Sequence, residues 1–111
     1  MNANDQLREH TSSENYYRYG VLLLTDGTRS LAETFSCFWF LDIIASYQPQ
    51  LKDEEFQVWT LGKNEDSSAI VLCTDGNNRI LASQNILWTD FEADVATVWV
   101  EFDVALLPSE H

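Results

Sequence analysis

The sequence predicts an α+β fold: an antiparallel sheet of five to six strands with one principal helix, at about residues 29–48, packed across it. Three observations lead there. Short apolar or alternating runs, VLLL at 21–24, FQVWTL at 56–61 and AIVLC at 69–73, have strand length and are bounded by turn or polar residues. One stretch, ending in CFWFLDIIASYQ, is long enough for a helix that covers a sheet. With 111 residues, 45% of them hydrophobic, the chain supports one core, so a single domain is expected over residues 1–111.

Residues 1–15 are polar, with a short helix around 4–9 at most, and residues 1–12 read as a candidate mobile arm. Tyr16, Tyr17 and Tyr19 then gather around Arg18. Amphipathic rings commonly close the edge of a core, which favours a roof over the helix above a binding patch. The aliphatic run at 21–24 reads as a buried strand, with Asp26-Gly27 as the tight turn that closes it. Thr28 or Ser30 is expected to cap the helix, and Glu33 completes a capping box with Ser30. Residues 37–44 are apolar on every side except Asp42. Such a helix needs cover on two faces: the sheet on one, and a loop, the arm or a second copy of the chain on the other. Pro49 disfavours helical geometry in Gln48 and ends it.

Beyond the helix, residues 56–61 alternate as a strand and 62–68 form a polar hairpin loop. Residues 69–73 are continuously apolar, which predicts a central strand buried on both faces. Gly76-Asn77-Asn78 tolerates left-handed geometry and turns the chain into an antiparallel strand at 79–88. An acidic connection at 89–94 has a single helical turn as its alternative. At 97–102, alternation places Val98, Val100 and Phe102 on one face and Trp99 and Glu101 on the other. A bend at Asp103 leads into 104–107, where Pro108, lacking an amide donor, ends the ladder.

Charge narrows the function. Eighteen acids face six bases, a formal net charge of −12, and residues 53–111 hold twelve of the acids against two bases. Such a field repels nucleic acid and membrane phosphates and speeds encounter with basic protein surfaces, so direct nucleic-acid or membrane binding is not expected. No run is apolar enough to span a membrane and the first residues do not read as a basic, apolar, small-residue signal, so a cytoplasmic location is expected. Cys37 and Cys73 fall in apolar segments without metal-ligand spacing, which favours buried free thiols over a bridge.

No catalytic constellation emerges. His10 and His111 stand near the two ends, where neither is expected to be held in catalytic geometry, and no cofactor or metal is implied. Asp26, Asp75 and Asp90 each follow a strand, and converging at one sheet edge they would suit a hard cation, although Asp-Gly is ordinary turn chemistry. A small cation-dependent enzyme or ligand-binding protein is therefore the alternative reading. Asp42 is expected to pair with Arg18 or Arg29, with a solvent-facing slot as the alternative. The acidic segments carry the main expectation. Asp53, Glu54, Glu55, Glu65, Asp66, Asp90, Glu92, Asp94, Glu101 and Asp103 are candidates to line one side of the domain and bind a partner, against a background reading of plain solubility. A row of carboxylates imitates duplex DNA, which carries roughly one charge per 1.7 Å of axis.

Several stretches resemble a family of small acidic proteins of unknown function carried by phages, plasmids and bacterial genomes. They are SENYYRY at 13–19, LLLTDG at 22–27 followed by LAE at 31–33, WFLDIIASYQ at 39–48, FQVWTL at 56–61 and LLPSEH at 106–111. The resemblance brings no activity and no catalytic residue. It implies a mobile-element setting in a bacterial host cell, where small acidic proteins serve as inhibitors of host defence, anti-CRISPR proteins among them. The resulting expectation is a non-enzymatic inhibitor, acting as a DNA mimic on a basic site of a Cas-type defence complex. A scaffold protein that dimerises through its apolar helix is the third reading.

Overall fold

The computed structural model describes residues 1–111 and is α+β: two α-helices lie on one face of a seven-stranded mixed sheet. In chain order the strands are β1 (Tyr16–Tyr19), β2 (Leu22–Thr25), β3 (Phe56–Lys63), β4 (Ala69–Thr74), β5 (Ile80–Ile86), β6 (Val95–Glu101) and β7 (Val104–Leu106). Their spatial order is β1-β2-β7-β6-β3-β4-β5. Every neighbouring pair is antiparallel except β2 with β7. The fold class and the mostly antiparallel pairing are the expected ones, and the strand count is corrected from five or six to seven. The tyrosine cluster is itself an edge strand, and the tail returns beside β2 in the same direction, which local pattern does not reveal.

The expected single helix is two, α1 (Asp26–Thr34) and α2 (Phe38–Tyr47). Asp26-Gly27 is not a separate tight turn ahead of the helix: it opens α1, and the cap is Thr25, whose Oγ1 accepts the Thr28 amide at 3.2 Å. The break follows from Ser36, at φ 51°, which lets the Cys37 amide reach back to the Ala32 carbonyl at 2.9 Å. Glycine usually signals this ending, and with serine in its place the stretch reads as continuous.

The core lies between helices and sheet. Phe40, Leu41 and Ile44 of α2 are buried with Trp59 and Leu61 of β3, Val71 and Cys73 of β4, and Val98 and Val100 of β6. Only one face of β4 is covered: Ala69, Val71 and Cys73 point inward, while Ile70 is exposed, correcting the expectation of burial on both faces. Phe102 does not continue the inward row of β6 either. Phe102 and Asp103 both take left-handed φ, 51° and 65°, and form the β6–β7 turn with the Phe102 ring exposed. Residues 89–94 contain no helical turn, and Thr89, Phe91 and Ala93 are buried there.

The N-terminal segment forms a 3₁₀ turn, Ala3–Leu7, whose Ala3 and Leu7 are buried. The Asn4 side-chain amide donates to the Thr97 carbonyl at 2.8 Å and accepts the Thr97 amide at 2.7 Å. A primary amide thus imitates a strand along the part of β6 that short β7 leaves unpaired. Both cysteines are buried and free, and burial pushes each thiol up to about 12, with the Glu54 charge adding to the shift at Cys73. No helix is long and apolar enough to cross a membrane.

Candidate functional site

Strand directions divide the ten candidate carboxylates between the two ends of the sheet. The ends are separated by the length of β3, eight residues or roughly 26 Å. Asp53, Glu54 and Glu55 precede β3, and Glu101 and Asp103 flank the β6–β7 turn that pairs beside it. Glu65, Asp66, Asp90, Glu92 and Asp94 occupy the two loops at the opposite end, after β3 and before β6. One continuous acidic side is therefore replaced by two clusters, because hairpins send successive loops to alternate ends.

The two clusters differ in their neutralisation. In the first, Arg79 donates to Glu54 at 2.8 Å and the His111 ring sits 3.0 Å from Glu101, leaving Asp53, Glu55 and Asp103 exposed. In the second, the two loops are joined by the Thr89 amide to the Ser67 carbonyl and the Lys63 amide to the Asp94 carbonyl, both at 2.8 Å. Phe91 and Ala93 anchor the 89–94 loop in the core. Asp94 pairs with the Met1 ammonium, which holds its carboxyl below the ordinary value, and Lys63 donates to the Phe91 carbonyl at 2.7 Å. Asp66 accepts the Ser68 hydroxyl and amide, bonds that lower its pKa. Glu65, Asp90 and Glu92 are exposed and enter no ion pair.

The strand-end aspartates do not converge. Asp26 and Asp90 lie at one end of the sheet and Asp75 at the other, and no three His, Cys, Asp or Glu side chains gather as a cation site requires. Asp42 binds neither Arg18 nor Arg29. It accepts the Tyr19 hydroxyl, and burial, followed by that bond, pushes the phenol up to about 12. Tyr19 also stacks on Phe38 at 5.8 Å, so it does roof the helix as expected.

A polar cleft of about 510 Å³ opens at the N-terminus of α1, lined by His10, Tyr17, Asp26, Arg29 and Glu33 among others. Its groups are largely committed to one another. Asp26 accepts the Glu14 amide at 3.1 Å, the Asn15 amide at 3.3 Å and the Tyr17 hydroxyl at 3.0 Å, while its own amide donates to Ser13 Oγ at 2.9 Å. Arg29 lies 4.3 Å over the Tyr17 ring and binds Glu33 at 2.8 Å. From the tail, Glu110 accepts the Thr25 hydroxyl at 2.6 Å and the Gly27 amide at 3.0 Å. The stretches SENYYRY, TDG and LLPSEH thus meet at one corner, where Asp26 and Glu110 tie three distant parts of the chain together. His10 and His111 are not frayed: the His10 carbonyl accepts Ser109 Oγ at 2.7 Å, and the His111 ring packs 5.2 Å from Trp99.

This corner gives a pH dependence. Loss of water around Asp26 pushes its carboxyl up, and the bonds from Glu14, Tyr17 and Asn15 together outweigh that, leaving it below the ordinary 3.8. A carboxyl depressed in the folded state contributes stability that is complete above the unfolded value and lost as pH falls through the folded one. Melting temperature is accordingly expected to drop on acidification below about pH 3.8, more steeply in the wild type than in Asp26→Asn. Parallel acid slopes in thermal melts of the two proteins would show the corner is not what titrates.

Sequence reasoning missed Leu87 and Trp88, which stand exposed just past β5. The signal was present: ILW at 86–88 breaks strand alternation immediately before an acidic loop. No curated protein and no solved structure matches the chain. One family description, family of unknown function DUF6876, matches residues 1–111, the full length described, and the chain belongs to that family.

Proposed function

We propose that the protein acts without catalysis, by docking the acidic end formed by Glu65, Asp66, Asp90, Glu92 and Asp94 onto a basic, nucleic-acid-binding surface of another protein. One observation carries this reading: two loops tied to each other and to the core hold these carboxylates at one end of a rigid sheet. Lys63 donates to a carbonyl there and the Met1 ammonium pairs with Asp94, while Glu65, Asp90 and Glu92 enter no ion pair. Fixed carboxylates lose little freedom on docking, and their field steers a lysine-rich partner. The mobile-element setting implied by the resemblance makes a bacterial Cas-type defence complex the concrete partner, anti-CRISPR inhibition the concrete outcome, and the bacterial cytoplasm the compartment. The first cluster, through Asp53, Glu55 and Asp103, extends the same sign to the other end and serves as an internal control.

Affinity capture from bacterial lysate with the full chain tests the proposal. The wild type is expected to retain basic proteins that elute as salt rises, since exposed charge contacts are screened. The Glu65→Lys, Asp90→Lys, Glu92→Lys triple variant is expected to lose capture by about tenfold or more, while Asp53→Lys with Glu55→Lys retains it. Undiminished capture by the triple variant, with its fold intact by circular dichroism, rejects the reading.

A further inference from the structure

We infer that β5 is a pairing edge for a second copy of this chain, two β5 strands running antiparallel to make one continuous sheet. The sheet has two edges, and they are protected very differently. β1 is four residues long and carries Arg18. β5 is seven residues long, ILASQNI, with no charge and no proline. Edge strands are ordinarily kept from pairing by charged side chains, proline, bulges or short length. The irregularity at Cys73/Thr74 lies at the Arg79 end and leaves the pairing of residues 82–86 regular.

Apolar exposure is concentrated at the two ends of this strand. Ile80 is 65% exposed at its start, and Leu87 and Trp88 are 94% and 68% exposed just beyond its end. A two-fold axis near the middle of β5 brings the start of one strand beside the end of the other, so Ile80 of each copy approaches Leu87 and Trp88 of the other. Each such contact is made twice, as an isologous interface requires. Charge selects the same occupant. Arg79, whose side chain is 67% exposed, precedes the strand, and Asp90 and Glu92 follow it. Antiparallel pairing sets the Arg79 of one copy toward the acidic end of the other at both ends of the seam. A single Arg79 nitrogen engages Glu54, at 2.8 Å, leaving further guanidinium donors free. The seam does not use α2, the helix of the third, scaffold reading: there Phe38, Trp39 and Ile43 are already partly buried.

Two chains of net charge −12 repel at long range, so this association is expected to tighten as salt rises, opposite to docking on a basic partner. Sedimentation velocity over a concentration series, at low and raised sodium chloride, should show the full chain shifting from one copy to two, further at the higher salt. Ser83→Asp sets like charges across the axis, and Arg79→Glu reverses the complementary end. Each is expected to weaken the dimer about tenfold or more and to keep the folded circular dichroism spectrum. A wild type that stays monomeric throughout overturns the inference, as does a dimer that survives both substitutions.

Discussion

Replacing Trp59 with alanine is expected to lower the unfolding free energy by roughly 3–5 kcal/mol. The side chain is fully buried, and its ring packs against Tyr47 with centroids 5.7 Å apart. Its indole Nε1 donates to Gln57 Oε1 at 2.8 Å. Gln57 and Gln48 in turn exchange two amide bonds, at 2.9 and 3.0 Å, and Gln48 also donates to the Ile44 carbonyl at 3.0 Å. This polar chain fastens the end of α2 to the start of β3 inside the core. Removing the indole opens a cavity at that junction and takes one donor from the network. Trp59→Phe keeps most of the volume, and Gln57 Oε1 retains its bond from Gln48, so that variant is expected to lose only about 1–2 kcal/mol. Urea denaturation of the three proteins measures both steps. With a domain of this size stable by about 5–15 kcal/mol, the alanine midpoint should fall far below the others. An alanine midpoint equal to that of phenylalanine would show that ring packing is not what holds the junction.

Gly27→Ala is expected to cost about 2–3 kcal/mol, combining overpacking with the loss of a helix cap. A Cβ at this position would stand 2.6 Å from Glu110 Oε1 and 2.8 Å from Leu107 Cδ1. Leu107 is buried and cannot yield freely. Glu110 is able to swing away, and in doing so it surrenders its bonds to the Thr25 hydroxyl, the Gly27 amide and the Leu107 amide. The coupling has a distinctive consequence. Because the alanine already displaces the carboxylate, adding Glu110→Ala should cost far less than Glu110→Ala does in the wild type. A double-mutant cycle by denaturation gives the answer, and strictly additive losses would mean that the glycine and the tail act independently.

This corner also shows how far the sequence could be read. Asp26-Gly27 carries turn chemistry, and an apolar run before it reads naturally as a strand closed by a tight turn. The glycine is needed for another reason: a carboxylate from residue 110 approaches the helix start so closely that no side chain fits. That partner lies 83 positions away, beyond any local pattern. The tyrosines were read in part: Tyr19 roofs the helix as expected, while pairing of the same residues with β2 as an edge strand is a tertiary fact. The excess of acidic residues is visible in composition, yet their division into two clusters depends on which way each strand runs.

The sequence by itself determined the α+β class, the hairpins around β4, the apolar stretch that becomes α2, and the acidity of the second half. Each of these is written in composition or in periodicity between neighbouring residues. Tertiary structure alone decided the parallel placement of β7 beside β2, the break at Ser36, the meeting of residues 13–15, 25–27 and 107–110, and the uncovered edge at β5. All but one of those features arise from groups far apart along the chain, where local pattern has no reach. The break at Ser36 is local, but a serine at positive φ announces itself only once its backbone angles are seen.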